Sequence, residues 1–188
     1  MASPRATGNN RLSVDDWIQA GYSLLADEGL QALKIDRLCD RLGVTKGSFY
    51  WHFTDMAGYR SALVDSWGSQ RGEEHRVYTE ILEHTPRERL SMMMTALISP
   101  RHWKLERTMR EWAHSDPQAS AGVEASDRLV LRTVRQAFID LGFTAEEAEL
   151  RAGATFAAGI GLLHVTGSKA MPLNDSQLEL FLELMTKP

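Results

Sequence analysis

Apolar residues recur along almost the whole chain at steps of three and four, the spacing that gathers them on one side of an α-helix. Val14, Trp17, Ile18, Gly21, Leu24 and Leu25 share the first such face. Ser13 is placed to cap that helix with Asp16 in a capping-box position, and Gly29 ends it where a left-handed residue is wanted. A short second helix is predicted over 35–42 with Gly43 as its stop, and a third from Thr45 to about Trp51. A longer fourth begins near Asp55, carries Leu63, Val64 and Trp67, and ends before Pro86. Pro86 suits the first turn of the next helix, and Pro100 and Pro117 mark further breaks. A helix is expected from Val123 to Leu141, stopped by Gly142. Thr144 and Glu147 form a capping box for a segment running to about Val165. Asn174 and Gln177 repeat that pattern before a last helix, Leu178 to Met185. Strand-like alternation and hairpin dipeptides do not occur, so the fold class is all-α with about nine helices.

Composition narrows the partners. Of 188 residues 43% are hydrophobic, ample for a packed core. Lys and Arg number 21 against 25 Asp and Glu, so any grip on nucleic acid must come from a local patch and not from the overall field. The single cysteine, Cys39, forms no staple and no metal-binding pair. The N-terminal stretch lacks the apolar core of a signal peptide, and the weakly polar run from Ala152 to Val165 is shorter than the ~20 residues a bilayer needs. A cytoplasmic protein that leaves membranes alone is the expectation.

The segment Ile35 to Phe53 meets the three demands of a helix-turn-helix. Where the two helices touch, a small residue is required, and Cys39 stands there. The turn needs a residue that tolerates positive φ, and Gly43 supplies it. Leu38, Leu42, Val44 and Phe49 have the spacing to pin the helices together. The outer face of the second helix then carries Thr45, Lys46, Gly47, Ser48, Tyr50 and Trp51, with His52 just beyond. Hydroxyls and lysine reach phosphates, while aromatic edges and lysine reach base edges in the major groove. A bare structural corner has no need of such a face.

The run Gly43-Val-Thr-Lys-Gly-Ser-Phe-Tyr-Trp-His-Phe53 resembles the recognition segment of the tetracycline-repressor (TetR) family, and the likeness extends over about residues 12–60. It implies an N-terminal three-helix DNA-binding domain, 1–54 with a flexible arm over 1–11. A helical ligand-binding and dimerisation domain, 55–188, follows. It also implies a bacterial homodimeric repressor on a palindromic operator, released by a small hydrophobic or amphipathic effector. Lys34 stands where the family commonly has a capping Ser or Thr, Met56 where a phosphate-gripping Lys is frequent, and Gly58 where a glutamate would complete a capping box. Lys34, Arg37 or the arm residues Arg5 and Arg11 are expected to take over phosphate contact.

The body is rich in aromatic, Met and His residues. Trp67, Met93, His102, Trp103, Trp112, Phe138 and Phe156 are the candidate effector contacts, although Met and aromatic stripes at helical spacing are usually core. His102 with Glu106 and Glu111 with His114 lie one turn apart, but solvated faces are the simpler reading, so no metal and no cofactor are expected. Gly153, Ala157 and Gly161 leave a helix face almost without side chains, which lets another helix approach. On the last helix Leu178, Phe181, Leu182 and Met185 form one stripe and Leu180 and Leu184 another. One stripe must face the chain's own body and the other a partner; we assign the first, with the glycine face, to a four-helix dimer interface. An enzyme is not expected: there is no GxSxG elbow or P-loop, and Gly159-x-Gly161-x-x-His164 breaks the dinucleotide fingerprint. The alternative function is a helical small-molecule-binding or interaction protein without DNA binding.

Overall fold

The computed structural model describes residues 12–67, 83–98, 100–165 and 173–187. Among them are nine α-helices and no strand: α1 (Val14–Glu28), α2 (Ile35–Leu42), α3 (Lys46–His52), α4 (residues 56–67), α5 (Pro86–Ile98), α6 (Pro100–Ala113), α7 (Pro117–Asp140), α8 (Ala145–Val165) and α9 (Asp175–Thr186). No described helix is long and apolar enough to cross a membrane.

The helix ends follow the predicted chemistry. Ser13 Oγ accepts from the Asp16 amide while the Asp16 carboxylate accepts from the Ser13 amide. Asn174 and Gln177 do the same for α9. Thr144 with Glu147, and Thr85 with Glu88, repeat the reciprocal pattern at α8 and α5. The last of these was not anticipated. Helix α7 starts at Pro117, well before Val123, because Asp116 caps it and Pro117 fits its first turn. The added turn is built from small and polar residues that carry no apolar stripe. Its use is close approach, since a Cβ on Gly122 would lie 3.1 Å from Val64 of α4.

These caps make stability sensitive to acid. Hydrogen bonds from the capping hydroxyls and amides hold the carboxyls of Glu88 and Glu147 below the usual glutamate range, and the Ser13 amide and hydroxyl do the same for Asp16. A depressed folded pKa means the stabilisation is complete above the unfolded carboxyl values and is lost as pH falls through the folded ones. We expect the melting temperature to drop below about pH 4.5, the upper end of ordinary carboxyl values. Glu147→Gln should flatten part of that slope; an unchanged acid limb in the variant would exclude the cap as its source.

Packing divides into two clusters. One joins Trp17, Ile18, Leu24, Leu25, Leu38, Phe49, Tyr59 and Leu63 of the first four helices to Leu105, Met109 and Trp112 of α6 and Val123 of α7. The other gathers Leu90 and Met94 of α5, Val134 and Phe138 of α7, Ala148 and Ala152 of α8, and Leu178 and Leu182 of α9. The first four helices are therefore continuous with the body. Thr108 Oγ1 donates to the Leu25 carbonyl, and Ser61 and Asp65 of α4 hydrogen-bond Gln118 of α7. Helices α6 and α7 thus contact α1 and α4 directly.

Candidate nucleic-acid interface

Gly43 closes α2 in the left-handed conformation (φ 66°, ψ 35°), and the Val44 amide donates to the Cys39 carbonyl at 3.0 Å. This tight turn sets α3 across α2 with Cys39 buried at the crossing. Burial pushes the Cys39 thiol pKa up, helped by the charges of Asp36 and Asp40, so the side chain is a small core residue and not a reactive thiolate. Phe49 anchors the inner face of α3: it is fully buried, with Trp17 edge-on at 5.5 Å and Tyr59 at 5.6 Å.

With Phe49 fixed inward, helical geometry turns Tyr50 and Trp51 outward. They are 56% and 64% exposed, among the most exposed large hydrophobic side chains described. Thr45, Lys46 and Gly47 are also exposed, and Thr45 occupies the cap position without spending its hydroxyl on the helix. Ser48 is half-buried. His52 is half-buried too, its ring 6.3 Å from Trp17 and 5.0 Å from Trp51, so it supports the aromatic wall from behind. Lys34 is exposed at the cap of α2 and makes no side-chain cap bond. Asp55 Oδ1 accepts from the Gly58 amide at 2.8 Å, so a carboxylate already occupies the first turn of α4 where a phosphate grip would otherwise be sought. Arg5 and Arg11 lie outside the described residues.

The basic residues come with partners that the spacing did not reveal. Lys46 Nζ lies 2.6 Å from Asp36 Oδ1, and this hydrogen bond, with the Asp36 charge, raises the lysine pKa. Arg37 pairs with Glu28, and Arg41 with Asp27 and Glu28. The two arginines tie α2 to the end of α1 and leave Lys46 as the cation of the outward face of α3.

Residues 18–60 match the model for bacterial regulatory proteins of the tetR family. The match is confined to this N-terminal unit, under a quarter of the chain. Tetracycline repressor protein class C of Escherichia coli is 35% identical over 57 residues, a stretch that is 30% of this chain and 26% of the repressor. The fold of the whole chain is shared more widely. A transcriptional regulator from Rhodococcus superposes with a TM-score of 0.71 at 16% identity, over 93% of this chain and 94% of its own. The reduced form of Escherichia coli NemR gives 0.69 at 18%, over 91% and 94%. A TetR/AcrR-family regulator from Thermobifida fusca gives 0.64 at 15%, over 93% and 96%.

The expected effector residues do not form one lining. Trp112 belongs to the cluster shared with the first four helices and Phe138 to the second cluster, both buried as core. Met93 is packed at the edge of the second cluster, and Trp103 is buried on α6 under the Arg107 guanidinium, 5.2 Å from its ring. Trp67, His102 and Phe156 are instead linked in series along two turns of α6. His102 stacks on Trp67 at 6.1 Å, with Nε2 3.8 Å from the buried carboxylate of Glu106. Glu106 pairs with Arg110 at 2.8 Å, and Arg110 holds Asp127 of α7 through two hydrogen bonds of 2.6 and 3.0 Å. The same guanidinium lies 6.0 Å from the Phe156 ring of α8. Burial disfavours the Arg110 charge, but Asp127 and Glu106 outweigh it and leave its pKa raised. The i, i+4 step from Glu106 to Arg110 is legible in the sequence; the partnership with Asp127 is set by how α6 crosses α7.

The dimer assignment on α9 needs correction. Leu178 (6% exposed) and Leu182 (1%) are buried against α5 in the chain's own core, and Phe181 and Met185 pack on the same cluster. The outward stripe is the other one, Leu180 (66%) and Leu184 (69%). Periodicity revealed two stripes, and only tertiary packing decided which turned inward. On α8, Ala157 is exposed while Gly153 and Gly161 are half-exposed with no atom near their would-be Cβ positions. Beside them stands Leu150, 74% exposed.

Proposed function

We propose that the chain is a homodimeric transcriptional regulator that inserts α3 into the major groove of a palindromic operator. The observation carrying this reading is the polarity of α3, with Phe49 fully buried and Lys46, Tyr50 and Trp51 displayed on its other side. Division of labour then follows role and not packing: residues 1–54 read DNA, while 55–188 pair the subunits and sense a small molecule. Repression by occlusion requires only DNA binding and is the simplest mode, acting in the cytoplasm.

Two copies would meet through Gly153, Ala157 and Gly161 of α8, flanked by Leu150, and through Leu180 and Leu184 of α9. Small residues let backbones approach while the leucines leave water, and two linked heads multiply weak half-site contacts. An effector that is amphipathic suits the stretch of α6 from His102, stacked on Trp67, to Arg110, beside Phe156, where aromatic rings adjoin the charges of Glu106, Arg110 and Asp127. Because Trp67 lies on α4, occupancy there would bear on the helix that enters the DNA-reading unit, biasing head spacing.

The test is a mobility-shift titration with DNA from the gene's own neighbourhood. Lys46→Ala and Tyr50→Ala should each weaken binding about ten- to hundredfold, the discrimination expected of a good base or phosphate contact. Helicity and oligomeric state should be unchanged. Unaltered affinity in both variants would remove α3 from the mechanism. Leu150→Glu combined with Leu184→Glu should give monomers by sedimentation and lose tight operator binding; a persistent dimer would place the interface elsewhere.

A further inference from the structure

Residues 12–60 carry an unusual charge balance for a unit proposed to hold DNA. Their cations are Lys34, Arg37, Arg41, Lys46 and Arg60, five against the seven carboxylates at 15, 16, 27, 28, 36, 40 and 55, a formal charge of −2. Three of the five are already engaged by carboxylates from the same unit. The arginine pairs knit α2 to α1 and have a structural use. The Lys46–Asp36 pair does not: both side chains are more than half exposed (61% and 67%), and neither end is needed to hold α2 on α3, which Leu38, Cys39 and Phe49 accomplish from within.

Non-specific attraction to DNA is almost wholly electrostatic, coming from lysine and arginine displacing counterions at phosphates. A lysine that must first leave a carboxylate gains little by that exchange, and the carboxylate left behind faces the phosphates with the wrong sign. We propose that Asp36 is a specificity-determining residue: by pairing with Lys46 on the outer side of the helix pair, it suppresses binding to unrelated sequence and leaves base contacts by Tyr50 and Trp51 to set affinity. This rests on the DNA-reading role proposed for α3.

The full-length protein is titrated with a random-sequence duplex across a range of salt, which requires no knowledge of the operator. Asp36→Asn and Asp36→Ala should bind that duplex about two- to fivefold more tightly than wild type, the range set by an exposed ion pair. The slope of log affinity against log salt should steepen by about one phosphate contact. Asp40→Asn, which removes an equal charge from the same helix without touching Lys46, should show a smaller gain and an unchanged slope. The gain at position 36 should shrink to that of Asp40→Asn in the Lys46→Ala background. Circular dichroism melts verify that each variant is folded. Asp36 variants indistinguishable from Asp40→Asn, or a gain at position 36 undiminished without Lys46, would overturn the proposal. Failure of wild type and every variant to bind any duplex at low salt would instead overturn the DNA-reading role, and this inference with it.

Discussion

Gly21→Ala is expected to destabilise the protein by about 3–4 kcal/mol, the sum of overpacking and a lost buried hydrogen bond. The added Cβ would stand 2.2 Å from the Tyr59 hydroxyl and 2.9 Å from a methyl of Leu63, distances no real Cβ tolerates. Tyr59 has nowhere to retreat: its ring is fully buried between Phe49 and Phe53, and its hydroxyl donates to the Trp17 carbonyl at 2.8 Å. Either that bond breaks or α1 and α4 separate. A fall in melting temperature of roughly 10 °C is expected for a chain of this size, with DNA binding reduced as the head loosens. Adding Tyr59→Phe should recover part of the loss by removing the nearest clash, but not all, because Leu63 remains. Wild-type melting of the single variant would contradict the close crossing of α1 and α4.

Arg110→Met should cost about 3 kcal/mol, the low end for removing one member of a buried ion network. The side chain of Glu106 is 3% exposed and that of Asp127 24%, so the loss strands one carboxylate in the interior and leaves another partly covered. The partial exposure of Asp127 keeps the estimate at the lower bound. Neutralising both carboxylates in the same background, Glu106→Gln with Asp127→Asn, should return much of the stability, since the penalty lies in the unpaired charges more than in the missing attraction. A triple variant no more stable than the single one would show that the guanidinium acts by filling space against Phe156.

The outward face of α3 was largely legible in advance. The glycine at 43, the small residue at 39 and the aromatic at 49 are each demanded by local geometry, and local geometry is what a sequence encodes most directly. The exposure of Tyr50 and Trp51 follows from the burial of Phe49 one residue earlier. The acidic partners were not legible, because Asp36 meets Lys46, and Glu28 meets Arg37, only once separate helices are docked. The scatter of the candidate effector residues has a related reason: Trp112 and Phe138 have the same composition signal whether they line a cavity or fill a core.

From its order of residues alone, this protein's all-helical character, its capping boxes, its turn glycine and the face that α3 displays were determined, since each depends on neighbours within a few positions. Tertiary structure alone decided that α9 turns Leu178 and Leu182 inward and Leu180 and Leu184 outward, and that Arg110 finds Asp127. The physical reason is that an amphipathic helix with two apolar stripes has no local preference between them. Burial against a particular neighbour, with its area and its charges, makes the choice.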